Sequence, residues 1–498
     1  MNILLANMPI KFNSRENLEP PLGIVYIAGV LEKNAKNVYL KDFEVEDFSE
    51  SILAETLKKY NIDLVGVSFR TASYCSAKHF VNLAKKINRD LKIVIGGHHA
   101  TAFPESALKD IECDIAVRGE GEYAFLDVVE ALEKDKSLQE ITGISFKDNG
   151  RILHNPGRKP IENLDLVPYP ARHLLPVDKY TIMTILTSRG CPFSCIYCDK
   201  GVSGKKVNLR SPENVYQEIL DIDKRFGKKR LYVVDDFFFL HKQRLNKLLD
   251  MMISNENLNI SWICQARVDG VDEELLNKAK RSGCAQIMYG VETGDKSELA
   301  YIRKESTLEQ AAEAIRLTKK TGIVTRTNFM LGFPISTRKS MENTIKFAKQ
   351  ASPDIVRFFS VSPLPNTELW NNIYGESVDL ENFRWDEFDF YNPDFSPAEL
   401  TKDDITSYAI FGYFYILGQR VRSEIIIGLV PNLIKLFSVI LKTGRVRGNI
   451  SLRFPATVNL SLDFWHLIKN KKFSKKLNLI HRAISIRKRI KEKQKSPN

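Results

Sequence analysis

Two runs in which β-rich segments alternate with helix-patterned segments constrain this chain more than any other feature. In the first, "NILLANMP" (2–9), "NVYLKDF" (37–43), "DLVGVSF" (63–69), "KIVIGGHH" (92–99) and "DIAVRGE" (114–120) read as strands. Between them "LGIVYIAGVLEKN", "ESILAETLKKYN", "SAKHFVNLAKKIN" and "FPESALKDI" carry apolar residues at helical spacing. Such alternation demands a parallel sheet covered by helices. It predicts a Rossmann-like, doubly wound α/β domain over residues 1–150, ending in a hairpin around the turn residues Asp148, Asn149 and Gly150.

A Pro-punctuated stretch, 151–178, reads as a linker. The alternation then resumes in "TIMTILTSRG", "RLYVVDDFFF", "ISWICQARVD", "AQIMYGVETG", "IVTRTNFMLGFP" and "IVRFFSVSP". Six such units over 179–375 suit an open or partial (β/α) barrel, with its chemistry at the carboxyl ends of the strands. Residues 376–498 read as a mainly helical segment with a basic tail. Its most apolar run, 425–441, is interrupted by Pro431, Asn432 and Lys435 and falls short of the roughly 20 clean apolar residues that span a bilayer.

Charge sharpens this division. The chain has 73 Lys and Arg against 61 Asp and Glu, a formal +12, but from Lys471 onward there are eleven Lys and Arg against one Glu. The body is therefore near neutral and a general nucleic-acid surface is not expected; the tail alone suits an anionic partner. Two readings of the C-terminal region stay open: a helix capping the barrel mouth with a solvated tail, or an apolar helix and polybasic stretch resting on a membrane surface. Seven cysteines, an odd number with no secretory leader, argue against a disulfide framework and for a reducing cytoplasm.

Three of those cysteines, Cys191, Cys195 and Cys198, fall in "RGCPFSCIYC", a Gly- and Pro-containing loop after a strand. Thiolates at i, i+4 and i+7 can turn toward one centre, and soft sulfur ligands select zinc, copper or iron–sulfur clusters. A structural zinc site would want a fourth Cys or His at ligand spacing, and none follows closely. A four-iron cluster held by three cysteines instead leaves one iron open to a further ligand. The other four cysteines, Cys75, Cys113, Cys264 and Cys284, read as core thiols.

The loop resembles the cluster loop of the radical S-adenosylmethionine (radical SAM) enzymes. That resemblance implies a [4Fe-4S] cluster on the three cysteines and SAM at its open iron, with the aromatic Tyr197 beside the last cysteine. It further implies that Asp235 and Asp236 meet the SAM amino group, that Arg267 meets its carboxylate, and that Glu292, between Gly290 and Gly294, and Gly332 of "NFMLGFP" lie toward ribose and adenine.

The first domain resembles the cobalamin-binding domain fused ahead of one radical SAM subgroup, through "EPPLGIVYIAGVLEKN", "GVSFRTASY", "IGGHHATAFPE" and "AVRGEGEYAF". The resemblance places Ser68, Gly96, Gly97, His98, Gly119, Glu120 and Gly121 toward cobalamin, with His98 and His99 both lining the corrin or its nucleotide tail. No histidine stands in an Asp-x-His-x-x-Gly pattern, so none from that motif is expected to ligate cobalt. The implied function is methylation of an unactivated carbon of a hydrophobic or secondary-metabolite substrate, through a 5′-deoxyadenosyl radical and methylcobalamin. Its alternative is a cyclisation or rearrangement without net methyl transfer, as in tetrapyrrole ring formation. Methylthiolation is disfavoured, because no basic RNA-binding β-barrel follows. The implied partners are a small-molecule substrate and an external one-electron donor of flavodoxin or ferredoxin type.

Overall fold

The computed structural model describes residues 1–10, 18–375, 377–388, 393–420, 479, 482, 483, 485 and 486. The apolar run 425–441 and most of the basic tail lie outside the described residues. The chain divides into two compact units. One comprises Met1–Ala266, Gly270–Gln286 and Pro363–Phe388; the other comprises Arg267–Asp269, Ile287–Ser362 and the described residues from 393 on.

In the first unit, β1 (Asn2–Asn7), β2 (Asn37–Asp42), β3 (Leu64–Ser68), β4 (Lys92–Gly96), β5 (Ile115–Val117), β6 (Ile144–Asp148) and β7 (Arg151–His154) form one sheet. Its order is β2-β1-β3-β4-β5-β6-β7. The first five strands are parallel, and β6 and β7 add an antiparallel hairpin. Asn149 and Gly150, with φ of 47° and 77°, make the two-residue turn that the right-handed strand twist favours. The chain moves to one side from β1 to β2 and to the other side from β3 onward. The carboxyl ends of β1 and β3 are thus a topological switch point, where such sheets leave a crevice.

Side chains along β1 alternate between two cores. Ile3 and Leu5 pack with the helices Leu22–Lys33 and Gly121–Glu133; Leu4 and Ala6 pack with the helix Tyr74–Ile87. Because both faces are covered, the strands are near-continuous apolar runs, and each fully buried Leu, Ile or Val contributes roughly 1.5–3 kcal/mol.

The second β/α run begins in the same unit, where Met183–Ile185, Arg230–Val233 and Ser261–Ala266 pair in parallel. Helices Pro212–Phe226, Lys242–Ser254 and Glu273–Arg281 follow these strands. The first is well punctuated: the Ser211 hydroxyl accepts from Asn214 N–H, Pro212 opens the helix, and Gly227 closes it at φ 59°. It carries Glu218, fully buried between Arg172 (2.5 Å) and Arg210. Cys284–Glu292 passes from the first unit into the second. There Val324–Leu331 pairs in parallel with Ile355–Ser360, and Phe329 stacks on Phe358 at 5.7 Å. Helices Leu308–Lys320, Arg338–Ala351 and Lys402–Arg420 belong to this second unit. The whole is a mixed α/β chain of parallel sheets, as the alternation requires.

Candidate functional site

The carboxyl ends of the first sheet open into a cavity of about 350 Å³ lying wholly within the first unit. Register builds its floor: Asn7 of β1 stands beside Ser68 of β3, and Ser68 beside Gly96 of β4. All seven residues expected toward cobalamin line it: Ser68, Gly96, Gly97, His98, Gly119, Glu120 and Gly121. Gly97 has φ 100°, and a Cβ there would run into the Phe69 carbonyl oxygen, so only glycine permits this turn off the strand. Arg189, Val202 and Ser203, which flank or belong to the cysteine loop, line the same cavity.

The cysteine loop is closed at its base by a short antiparallel ribbon pairing Ser188 with Leu209 and Arg189 with Asn208. Gly190 at φ 91° starts the excursion, and a Cβ there would strike the Lys206 carbonyl oxygen. Asp235 anchors the incoming strand, accepting from Thr187 N–H (2.6 Å), Thr187 Oγ1 (2.5 Å) and Ser188 Oγ (2.7 Å). Burial nevertheless outweighs these bonds and raises its carboxyl above the ordinary range. Asp236 is exposed and takes Gly190 N–H at 3.1 Å. On the far side, His98 Nδ1 meets Asp199 Oδ2 at 3.0 Å. Burial works to raise the Asp199 carboxyl, but hydrogen bonds from His98 and Gly201 N–H outweigh it and hold the group low.

Cys191 and Cys195 are half-buried and Cys198 is exposed. The Cys198 thiol is pushed up to about 12, chiefly by the atoms packed around it and further by Asp236, Cys191 and Cys195, with Lys200 acting in the opposite sense. The three sulfurs thus lie within electrostatic reach of one another. Among the described residues no three His, Cys, Asp or Glu side chains converge on a single-ion site. A cuboidal cluster carries its own iron and sulfide between its ligands, so it needs thiolates that surround a space rather than meet at a point. The donor set of three thiols on one anchored loop fits such a cluster.

The remaining residues expected toward SAM fall out differently. Tyr197 is half-buried in the loop. Both oxygens of Asp235 are engaged with Thr187 and Ser188, which makes it a structural anchor. In the second unit, Arg267 is 6% exposed and forks onto Asp269 (2.9 and 2.8 Å) and the Lys304 carbonyl (2.9 Å), so its guanidinium already has a carboxylate partner. Glu292, at φ 70°, pairs with Lys304 at 2.8 Å, and a Cβ on Gly290 would collide with its carboxylate. Gly332, at φ 92°, leaves room for the Ile405 side chain.

Sequence reasoning treated the adjacent histidines alike, and the structure separates them. His98 lines the cavity; His99 is fully buried among Phe69, Tyr74, Phe103 and Trp385, with Nδ1 3.3 Å from Thr71 Oγ1. Burial alone lowers its imidazole to about 3. Cys75 is exposed rather than a core thiol, whereas Cys113, Cys264 and Cys284 are buried. Sequence reasoning also missed Arg189. Its guanidinium is 9% exposed, bonded to Glu120 (2.8 Å) and Glu122 (2.5 Å), and lies 5.3 Å from the Tyr26 ring. The available signal was an arginine two residues before Cys191, together with a segment, "GEGE", that offers two carboxylates.

Comparison with known proteins identifies the family. A family model described as B12 binding domain matches residues 10–129, and one described as Radical SAM superfamily matches residues 185–348. An uncharacterized methyltransferase of Pyrococcus horikoshii is 34% identical over 415 residues, covering 82% of this chain and 90% of that protein. An anaerobic magnesium-protoporphyrin IX monomethyl ester cyclase of Rubrivivax gelatinosus is 27% identical, covering 79% and 73%. The solved structure of the cobalamin-dependent S-adenosylmethionine radical enzyme OxsB, with aqua-cobalamin and S-adenosylmethionine bound, shares the fold at a TM-score of 0.70 and 20% identity, covering 83% of this chain and 66% of that one. The chain belongs to the cobalamin-binding radical SAM family, the enzymes that work with cobalamin, a [4Fe-4S] cluster and S-adenosylmethionine.

Proposed function

We propose that this enzyme methylates an unactivated carbon of a hydrophobic or secondary-metabolite small molecule. The observation that carries the reading is the shared cavity wall: Ser68, Gly96–His98 and Gly119–Gly121 line one space together with Arg189, Val202 and Ser203 of the cysteine loop. When bound, the cluster and SAM supply hydrogen-atom abstraction, and cobalamin supplies a transferable methyl group. An unactivated C–H bond offers no lone pair to attack a sulfonium directly, so abstraction and methyl delivery must take place at neighbouring sites.

In this reading Cys191, Cys195 and Cys198 hold the cluster, and Ser68, Gly96, Gly97, His98, Gly119 and Gly121 form the cobalamin wall. Glu120 serves that wall indirectly, since one of its oxygens takes Arg189 and the other takes Ile161 N–H at 2.5 Å. Tyr197 of the loop and Asp236, just after the strand Arg230–Val233, remain the SAM-facing candidates beside it. Asp235 holds the loop in place, and Arg267 is held by Asp269. A low-potential one-electron donor of flavodoxin or ferredoxin type supplies the reducing electron. Among the described residues no helix is long and apolar enough to cross a membrane. The basic tail is the part of the chain suited to an anionic surface, and delivery of a hydrophobic substrate from that surface would be its use.

The second reading, cyclisation or rearrangement, draws on the 27% identity to the cyclase. Anaerobic reconstitution with iron, sulfide, cobalamin and SAM, followed by product counting, separates the two. Methyl transfer yields S-adenosylhomocysteine and 5′-deoxyadenosine together, and a methylated product in extracts of the host. 5′-Deoxyadenosine with no S-adenosylhomocysteine would overturn the methylation reading in favour of cyclisation.

A further inference from the structure

One charged group of the cysteine loop is buried without a partner. Lys200 lies two residues beyond Cys198, and its Nζ is shut off from solvent without a hydrogen-bond partner. The loop's other two lysines behave ordinarily: Lys205 and Lys206 are exposed, one donating to Ser194 Oγ at 3.2 Å and the other pairing with Glu162 at 2.5 Å. The neighbouring Asp199 does not compensate Lys200, because its carboxylate is turned to His98 and Gly201 N–H. The Lys200 backbone is pinned, its carbonyl accepting Gly204 N–H at 2.8 Å.

A dehydrated ammonium is costly unless an anion faces it. The anion that belongs in this loop is the thiolate-ligated cluster, whose negative charge grows by one on reduction. We propose that Lys200 is a positioning charge for the cluster, stabilising its reduced form and so raising its reduction potential. The electron comes from the external one-electron donor, which is oxidised by the same amount, and no bond to Lys200 forms or breaks. The proposal rests on the assignment of the cluster to Cys191, Cys195 and Cys198. Even from about 12 Å, a unit charge in a medium of effective dielectric near 20 shifts such an equilibrium by about tenfold, which is about 59 mV for one electron, and a closer charge shifts it further.

The test is an anaerobic redox titration of the full-length reconstituted protein, read by paramagnetic resonance of the reduced cluster, with iron and sulfide assayed alongside. Lys200→Met should carry wild-type iron and be reduced about tenfold less readily, about 59 mV lower. Lys200→Arg should stay near wild type, and Lys206→Met, which removes an exposed charge from the same loop, should shift nothing. An unchanged potential in Lys200→Met, or an equal shift in Lys206→Met, overturns the proposal. If Lys200→Met takes up no iron, Lys200→Gln carries the same test. Failure of both to assemble while Lys200→Arg succeeds would assign Lys200 to assembly and overturn a role in the potential. Cys198→Ala tests the underlying assignment separately: a variant that keeps its cluster refutes the ligand set, whatever Lys200 does.

Discussion

Arg189 offers the most informative perturbation, because it joins the cavity wall to the strand that enters the cysteine loop. Replacing it with Met keeps much of the apolar stem against Tyr26 but strands two carboxylates, each only 6% exposed at the side chain. Two charge-assisted bonds are lost, worth about 1.5–3 kcal/mol each, and Glu120 retains only Ile161 N–H. Breaking a buried ion pair from one side costs about 3–5 kcal/mol. A chain of this size need not unfold in two states, so the cost is best read locally, by hydrogen exchange of the amides of 119–125. At 1.4 kcal/mol per tenfold, a loss of about 3–4 kcal/mol there means exchange roughly 10²- to 10³-fold faster, up to the limit set by global unfolding. Arg189→Met with Glu122→Gln should cost less than the two changes summed, by about 0.5–3 kcal/mol, since the second change removes a charge the first left unpaired. Bound cobalamin after desalting should fall in step. Exchange within threefold of wild type, or strict additivity of the pair, would show that this bridge does not hold the two loops together.

Four further outcomes follow from the same geometry. Cys191→Ala, Cys195→Ala and Cys198→Ala should each abolish the iron–sulfur absorbance and SAM cleavage, while Cys75→Ser should keep both; iron assay and 5′-deoxyadenosine release check this. Asp235→Ala leaves three donors of Thr187 and Ser188 without their acceptor and should cost about 2–4 kcal/mol and lower iron retention, whereas Asp235→Asn should retain part of both. His99 is held neutral to about pH 3 in the folded chain but takes a proton near 6.5 when unfolded, so acid favours the unfolded state. The contribution is level above about pH 6.5, falls by about 1 kcal/mol between pH 6 and pH 5, and is lost progressively toward pH 3; the stability difference between wild type and His99→Phe should follow that slope. ¹⁵N-labelling of histidine should leave the nitrogen splitting of bound cob(II)alamin unchanged, because no histidine stands in an Asp-x-His-x-x-Gly pattern; a change on labelling would make His98, the cavity-wall histidine among the described residues, a cobalt ligand through Nε2, with Nδ1 held by Asp199.

The architecture was legible because it depends on periodicity, which is local. Every β-rich run named from the sequence contains a strand, and the Asn149–Gly150 turn sits where the hairpin required it. The cavity wall was legible for a related reason: in a parallel sheet the residues after each strand must gather at one edge, so Ser68, Gly96 and Gly119 converge whatever the details. The polar partners were not legible. Asp235 and Asp236 are adjacent and chemically identical, yet one is sealed against Thr187 and Ser188 and the other is exposed, because successive side chains at a strand end point to opposite sides. Arg267 looked available for a carboxylate, and the chain supplies that carboxylate two residues later, as Asp269.

The two histidines of "GGHH" part company at a single glycine. Gly97, at φ 100°, turns the chain off β4 and starts a short helix at His98. Consecutive helical residues project about 100° apart, so a turn that aims one imidazole along the cavity wall must send the next elsewhere. Here it sends His99 into an aromatic core, where a charged ring would be stripped of water with only Thr71 to meet it. His98, half exposed, reaches Asp199, the residue that follows Cys198. One glycine therefore sets a tie between the cavity wall and the cysteine loop through His98, as Arg189 sets a second through Glu120 and Glu122. Two ties on one loop hold the cavity wall and the cysteine loop at a fixed separation, as the proposed function requires of them. His98→Ala should therefore loosen the Asp199 side of the loop, seen as faster exchange of amides 199–204, with the Arg189 side unaffected. Equal loosening of both sides would mean that the loop moves as one body and that the two ties are not independent.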